Sequence, residues 1–334
     1  MEEIFRFPVL LGDIGGTNAR FALLEQDSLE LKDFKEYSVC AYPTIIEVLS
    51  DYFYYVGCSR PSSMILAIAT PLEGDSMRLT NSHWTITPSI LKDNFSFSSI
   101  FLMNDFEAQA LATSCFSERD LYSLTKNALA SVAGPRLVIG PGTGLGVAGL
   151  LQIDDIMIPV PGEGGHIDYA PQTEEDFFLY PHLQANETGR LRAESLLSGA
   201  GLIRIYNAFC AHHCIKAIYE TADAISMAAR MGDVLALKTV RFFFSYLARL
   251  SGDLALIFKA EGGVYIGGGI MPKLLDLIDK EEFCARFINK TPHGELLKRF
   301  PIYVVKHPQN ALKGMEAFVK HPKRFLMSYA NRLW

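Results

Sequence analysis

The sequence predicts an α/β protein of two domains, each organised on a β-hairpin closed by glycines. Three observations predict it. Continuously apolar runs such as Met64-Ile65-Leu66-Ala67-Ile68-Ala69 and Ser99-Ile100-Phe101-Leu102-Met103 have the character of strands covered on both faces, and helical stretches alternate with them. A strand–glycine turn–strand unit occurs once in each half of the chain. The length of 334 residues fits two domains of ~150 residues each.

The first unit is Val9-Leu10-Leu11-Gly12-Asp13-Ile14-Gly15-Gly16-Thr17-Asn18-Ala19-Arg20-Phe21-Ala22-Leu23-Leu24. Two apolar runs flank a glycine turn, which reads as a hairpin. Bare backbone there lets successive N–H groups converge on an anion. Asp13 ends the first strand, where a carboxylate can hold a divalent cation directly or through its waters. A plain tight hairpin with a surface Asp would look the same, and only the second copy weighs against it.

Next come a short strand at 35–39, a helix at 43–56, the strand at 64–69 and a Pro- and Gly-containing turn at 70–75. A helix starts after Thr87-Pro88, with Pro88 suited to the first helical position. The strand at 99–103 runs into Asn104-Asp105-Phe106-Glu107 and a helix at 106–115. Ligands of open α/β sheets sit at the carboxyl ends of strands, which puts Asn104 and Asp105 in a favoured catalytic place. Asn-Asp before a helix is also an ordinary capping pair, and local sequence alone favours capping.

In the second half, Leu137-Val138-Ile139-Gly140-Pro141-Gly142-Thr143-Gly144-Leu145-Gly146-Val147-Ala148-Gly149-Leu150 echoes the first unit. Gly16-Thr17 falls on Gly142-Thr143, Ala22 on Ala148 and Leu24 on Leu150. Gly144-x-Gly146-x-x-Gly149 matches the dinucleotide fingerprint only formally, because those glycines lie in the outgoing strand and no helix opens behind them. No G-x-x-x-x-G-K-[ST] occurs, so phosphates, if bound, are bound by hairpins. Pro161-Gly162-Glu163-Gly164-Gly165-His166-Ile167-Asp168 reads as a loop whose carboxylate and imidazole suit a polyhydroxylated ligand, or as a bare surface loop. Helices follow at 173–180, 189–197, 201–219, 223–231 and 234–259. Glu194 taken singly is a helix-surface acid. Val264-Tyr265-Ile266-Gly267-Gly268-Gly269 is a third strand–glycine unit, where a flat ring or ribose can lie on bare backbone. A strand at 302–306 and a closing helix, 312–320 plus the tail, complete the chain.

Composition excludes several classes. A net charge of −6 lacks the basic face of a nucleic-acid binder. No apolar run approaches the ~20 residues a bilayer needs, and Met1-Glu2-Glu3 is not a secretion start. The six cysteines (40, 58, 115, 210, 214 and 284) are scattered, as reduced thiols of a cytoplasmic protein are. Cys210-Ala211-His212-His213-Cys214 raises a metal site, but no partner pair stands at zinc spacing. The aromatic run 240–247 reads as core in preference to a dimer face.

Gly12-Asp13-Ile14-Gly15-Gly16-Thr17-Asn18-Ala19-Arg20, Asn104-Asp105-Phe106, Gly142-Thr143-Gly144-Leu145-Gly146-Val147, Pro161 to Asp168, Ala193-Glu194 with Ser198-Gly199, and Gly262 to Gly269 together resemble bacterial-type glucokinase, in that family's order and from about residue 10 to 315. The resemblance implies the two-domain actin-like ATPase (ribonuclease H-like) fold. It implies a small α/β domain of 1–113 plus 308–334 and a large one of 114–307, with sugar in the interdomain cleft and closure on it. It implies transfer of the ATP γ-phosphoryl group to the 6-hydroxyl of glucose with Mg²⁺. Asp105 is then the general base, and Asn104, Asp105, Glu163, His166 and Glu194 the glucose ligands; Glu187 and Asp168 do not match ligand positions. Gly12, Asp13, Ile14, Gly15, Gly16, Thr17, Gly142, Thr143 and Gly144 would face the phosphates, Asp13 the Mg²⁺ through water, and Gly267, Gly268 and Gly269 the adenosine.

The zinc-binding cysteine motif of the related repressor/kinase group is not found before His166, so no zinc is expected. Family likeness implies a homodimer without nucleic-acid or membrane partners. Two alternatives stand beside this reading. One is a kinase for another hexose or amino sugar, or one using polyphosphate or ADP. The other is a non-catalytic sugar sensor, which would have no need of Asp105.

Overall fold

The structure is a computed structural model that describes residues 4–26, 30–57, 60–126, 133–185 and 189–334. Its contacts divide into two units: Met1–Phe116 with Leu150–Pro161 and His307–Trp334, and Ser117–Gly149 with Gly162–Lys306.

In the first unit β1 (Val9–Ile14), β2 (Asn18–Leu24) and β3 (Lys32–Ser38) form an antiparallel meander. Helix α1 (Ile45–Val56) leads to β4 (Ser63–Ile68), a small hairpin of β5 (Met77–Arg78) and β6 (Thr85–Ile86), α2 (Pro88–Phe95), β7 (Ser99–Asn104) and α3 (Asp105–Ala112). The sheet order is β3-β2-β1-β4-β7, with β4 parallel to β1 and β7 parallel to β4. Every residue of β4 is buried, as its unbroken apolar run predicts. Register matters most here: Asp13 faces Ala67, and Ile14, Ile68 and Asn104 lie level across three strands. The carboxyl ends of β1 and β7 are thus two strand spacings, about 10 Å, apart.

The stretch from 117 to 306 contains β8 (Leu121–Ser123), β9 (Arg136–Pro141), β10 (Leu145–Ile153, counted with the second unit up to Gly149 and with the first from Leu150), β11 (Ile156–Gly162, counted with the first unit up to Pro161), and then, in the second unit, α4 (Glu174–Gln184), α5 (Gly199–His212), α6 (Ala222–Arg230), α7 (Val234–Phe258), β12 (Gly263–Ile266), α8 (Met271–Leu274), α9 (Lys280–Ile288), α10 (Gly294–Leu297) and β13 (Ile302–Val305). Its sheet runs β11-β10-β9-β12-β13-β8. Three residues join β9 to β10, too few for a parallel crossover, so this pair is a hairpin. Strand β12 is parallel to both β9 and β13. The hairpin echo in the sequence is therefore the visible part of a duplicated sheet, in which two parallel strands follow a meander. Phe242, Phe243, Phe244 and Leu247 of α7 are buried in the core, as expected for 240–247. Among the described residues no helix is long and apolar enough to cross a membrane.

Helix α11 (Asn310–Lys320) returns to the first unit and packs on α3 so closely that a Cβ on Gly314 would stand 1.8 Å from the Ala108 carbonyl oxygen.

Three expectations need correction. Residues 189–197 are not a helix: Tyr169 N–H donates to Leu191 O and Ala193 N–H to Ile167 O, so this stretch pairs with 167–169 instead. Helix α5 stops at His212, with Cys214 at φ 55°, and does not reach residue 219. The closing helix stops at Lys320, because Pro322 follows; a 3₁₀ turn at Pro322–Arg324 comes next, and the tail turns again at 330–332, where Asn331 has φ 58°.

Candidate active site

Asp13 is fixed by the meander. The register places it opposite Arg20, whose Nη1 lies 3.2 Å from Asp13 Oδ2 while its Nε donates to Glu36 at 2.5 Å. Burial pushes the Asp13 carboxyl above its ordinary value, and Arg20 opposes that shift. Gly12 has a packing reason for being bare, since a Cβ would meet Leu66 Cδ2 at 2.5 Å. Ile14 is buried in the core and offers only its backbone. Gly15 and Gly16 form the tip with exposed Thr17, and Gly15 N–H closes the turn on Asn18 O at 3.0 Å.

Asn104 caps α3. Its Oδ1 accepts from the N–H groups of Phe106 and Glu107 (2.9 and 3.3 Å), and Glu107 Oε2 accepts from Asn104 N–H (3.0 Å). Capping leaves room for a second role, because the cap uses only the carbonyl oxygen of the Asn104 amide. Asp105 is the first helical residue, and its Oδ1 accepts from Phe106 N–H at 3.0 Å.

In the second unit the three sugar-ligand candidates come together. Gly165 lies so close to β10 that a Cβ there would fall 2.0 Å from Leu145 O. Glu194 N–H donates to Gly165 O (2.8 Å), and Glu194 Oε2 accepts from Leu145 N–H (2.9 Å). Glu194 thereby ties the Gly142–Gly144 turn to the loop of Glu163 and His166. Those two face each other, Nε2 to Oε2 at 3.7 Å, with His166 N–H donating to Glu163 O at 2.9 Å. Asp168 stays outside this group, paired with Arg190 at 2.6 Å. Glu187 lies outside the described residues.

The glycine turns of this unit also converge. Gly142 O accepts from Gly199 N–H at the start of α5 (3.0 Å), and Gly142 lies against Gly269. Gly268 has φ +80° and a Cβ there would be 2.2 Å from Pro141 O, so only glycine fits. The start of α5, whose Gly201 N–H is capped by Ser198 Oγ at 3.0 Å, joins the two glycine turns as a third source of backbone donors.

Arg192 escaped the sequence reading. Its Nη1 is 3.4 Å from His166 Nδ1. A guanidinium has no acceptor, so Nδ1 accepts and the ring proton sits on Nε2, facing Glu163. Nothing in the sequence pairs residues 166 and 192; the strand pairing of 167–169 with 191–193 does. Arg20 was legible, sitting opposite Asp13 once the hairpin is drawn.

The chain is similar to known proteins along nearly its whole length. The family model for glucokinase matches residues 10–322. Glucokinase of Sinorhizobium medicae is 41% identical over 334 residues, covering 100% of this chain and 98% of that protein. Glucokinase of Rhizobium meliloti is 42% identical over 334 residues with the same coverage. The crystal structure of glucokinase from an Antarctic psychrotroph has a TM-score of 0.81 at 30% identity, covering 93% of this chain and 98% of that one. A Streptomyces griseus ROK family glucokinase, solved with glucose and AMPPNP, shares the fold at a TM-score of 0.59 and 17% identity, over 92% of this chain and 97% of that one. The chain belongs to the glucokinase family, enzymes that phosphorylate glucose with ATP on an actin-like ATPase fold.

Proposed function

We propose that the chain moves the γ-phosphoryl group of ATP to the 6-hydroxyl of glucose, with Asp105 as general base. The observation that carries this is the pair Asn104-Asp105 at the carboxyl end of β7, where Asn104 lies level with Ile14, the residue after Asp13 at the end of β1. One sheet edge then offers a base and, two strands away, a carboxylate beside a glycine turn. Phosphoryl transfer asks for little else than positioning and charge neutralisation around a base that receives the hydroxyl proton.

Glu163, His166 and Glu194 supply the hydroxyl contacts in this reading, together with the Asn104 amide. Glu163 accepts, His166 donates from Nε2, and Glu194 accepts with the oxygen that Leu145 N–H does not occupy. The turns at Gly15–Thr17 and Gly142–Gly144 present N–H groups to the phosphates, and the bare strand end Gly267–Gly269 takes the adenosine. Mg²⁺ fits the donor set, because it binds through one or two carboxylates plus substrate phosphates and keeps its waters. Asp13 would hold it through water, and when bound it neutralises phosphate charge.

The test is product identity. With ATP·Mg²⁺ we expect glucose phosphorylated on O6 by NMR, 6-deoxyglucose acting as an inhibitor only, and no turnover in excess EDTA. Phosphate on another hydroxyl, a better hexose substrate, or turnover with polyphosphate would overturn the reading. Glu163 gives a cleaner check on the sugar contacts, because its side chain is 65% exposed and its loss does not threaten the fold. A lost hydrogen bond to a charged group is worth about 1.5–3 kcal/mol, so Glu163→Ala should raise the glucose KM roughly 10- to 100-fold. Its melting temperature and ATP KM should stay put. An unchanged glucose KM removes Glu163 from the site.

A further inference from the structure

A capping box at an exposed helix start holds without help, but the one before Asp105 is buried. Glu107 is 2% exposed, and its Oε2 accepts from Asn104 N–H at 3.0 Å. A carboxylate so far from water needs a compensating charge. It comes from Arg332, whose Nη1 donates to the same oxygen at 2.8 Å. Arg332 is itself held by a bridge of the tail to the edge of β7. Leu102 N–H donates to Arg332 O at 2.8 Å, and Ile100 and Trp334 exchange N–H···O bonds at 3.1 and 3.0 Å. Leu333 pairs with Phe101, and the Tyr329 ring meets the Phe101 ring edge-on at 5.7 Å. The strand that carries Asn104 at its end is thus braced by a segment distant in sequence.

We propose that Arg332 is a positioning residue for phosphoryl transfer. Acting through Glu107, it fixes the Asn104 peptide, the α3 cap and hence the direction of Asp105. The proposal rests on the reading of Asp105 as the base. Without Arg332, the buried Glu107 carboxylate is left without its counter-charge and turns towards water, and its grip on Asn104 N–H weakens. A base displaced by a fraction of an ångström loses rate steeply.

The experiment is steady-state kinetics on Arg332→Met and Arg332→Lys, well below their melting temperatures. We expect Arg332→Met to lower kcat about tenfold while the ATP KM stays within about twofold, because the phosphates are held by the glycine turns. Arg332→Lys should recover most of kcat, since an ammonium can reach the same oxygen. A lower melting temperature with wild-type kcat in Arg332→Met would show that Arg332 only secures the tail, and would overturn the proposal. Should Arg332→Met fail to fold, Glu107→Gln, which keeps the shape and an acceptor for Asn104 N–H, decides the matter. A several-fold loss of kcat supports the proposal and an unchanged kcat overturns it. Asp105→Asn separates the two claims. If that variant retains kcat, the base assignment fails and the proposal with it. If it is inactive while Arg332→Met turns over normally, only the proposal fails.

Discussion

Asp105→Ala should bind glucose and ATP as the unaltered protein does and lose turnover by about 10²- to 10⁴-fold, the usual contribution of a general base. The fold tolerates the change for a local reason. Helix α3 is capped by Asn104 Oδ1 and by the Glu107–Asn104 bond, so the cap does not depend on the bond that Asp105 Oδ1 accepts from Phe106 N–H. Loss of rate would therefore be chemical, because the hydroxyl proton has nowhere to go as the oxygen attacks phosphorus. Calorimetric glucose and ATP titrations beside single-turnover phosphoryl transfer make the test. Near-normal kcat would remove Asp105 from the mechanism. Tight glucose binding with no turnover in the unaltered protein would revive the sensor reading against which Asp105 argues.

What the sequence disclosed follows the range of the interactions involved. Both hairpins and the Asn104-Asp105 strand end were legible because they depend on neighbours: apolar runs, glycine turns and a cap within four residues. The equivalence of the two hairpins could be read and was enough to suggest a duplicated architecture, but the strand order of the second sheet could not. It depends on β12 settling beside β9, which no periodicity records. Taken singly Glu194 looks like a helix-surface acid, and only the family resemblance singled it out, because helix propensity in 189–197 is overridden by pairing with 167–169, and that pairing is also what brings Arg192 to His166. The tail was misread for a similar reason. Amphipathic spacing suggested a continuing helix, whereas Pro322 ends it and Arg332, Leu333 and Trp334 find partners on β7.

Stability of the second unit should hinge on one buried ion pair. Asp176 is 1% exposed and Arg249 is 5% exposed. The guanidinium meets the carboxylate with both terminal nitrogens, at 2.5 and 2.9 Å, and Gln172 and Thr173 N–H donate to the same carboxylate at 2.8 Å each. Burial alone would raise the Asp176 carboxyl, but Arg249 and the two N–H groups outweigh it and hold the carboxyl below its ordinary value. Among the described residues Arg249 Nε has no hydrogen-bond partner, so Asp176 is the charge that keeps this arginine tolerable in the core.

Asp176→Ala should therefore cost about 3–5 kcal/mol, since it leaves a buried cation alone. Asp176→Leu/Arg249→Met, which removes both charges, should recover more than half of that loss. Because the folded carboxyl titrates below its unfolded value, its contribution is fully present above about pH 4 and is lost as pH falls through the folded value. The gap between unaltered protein and Asp176→Ala should then narrow only in that acid range. Chemical denaturation of the three proteins at pH 7 and below pH 4 measures all of this. A loss under ~1 kcal/mol at pH 7, or a gap that closes already near neutrality, would mean that Arg249 finds another partner when Asp176 is gone.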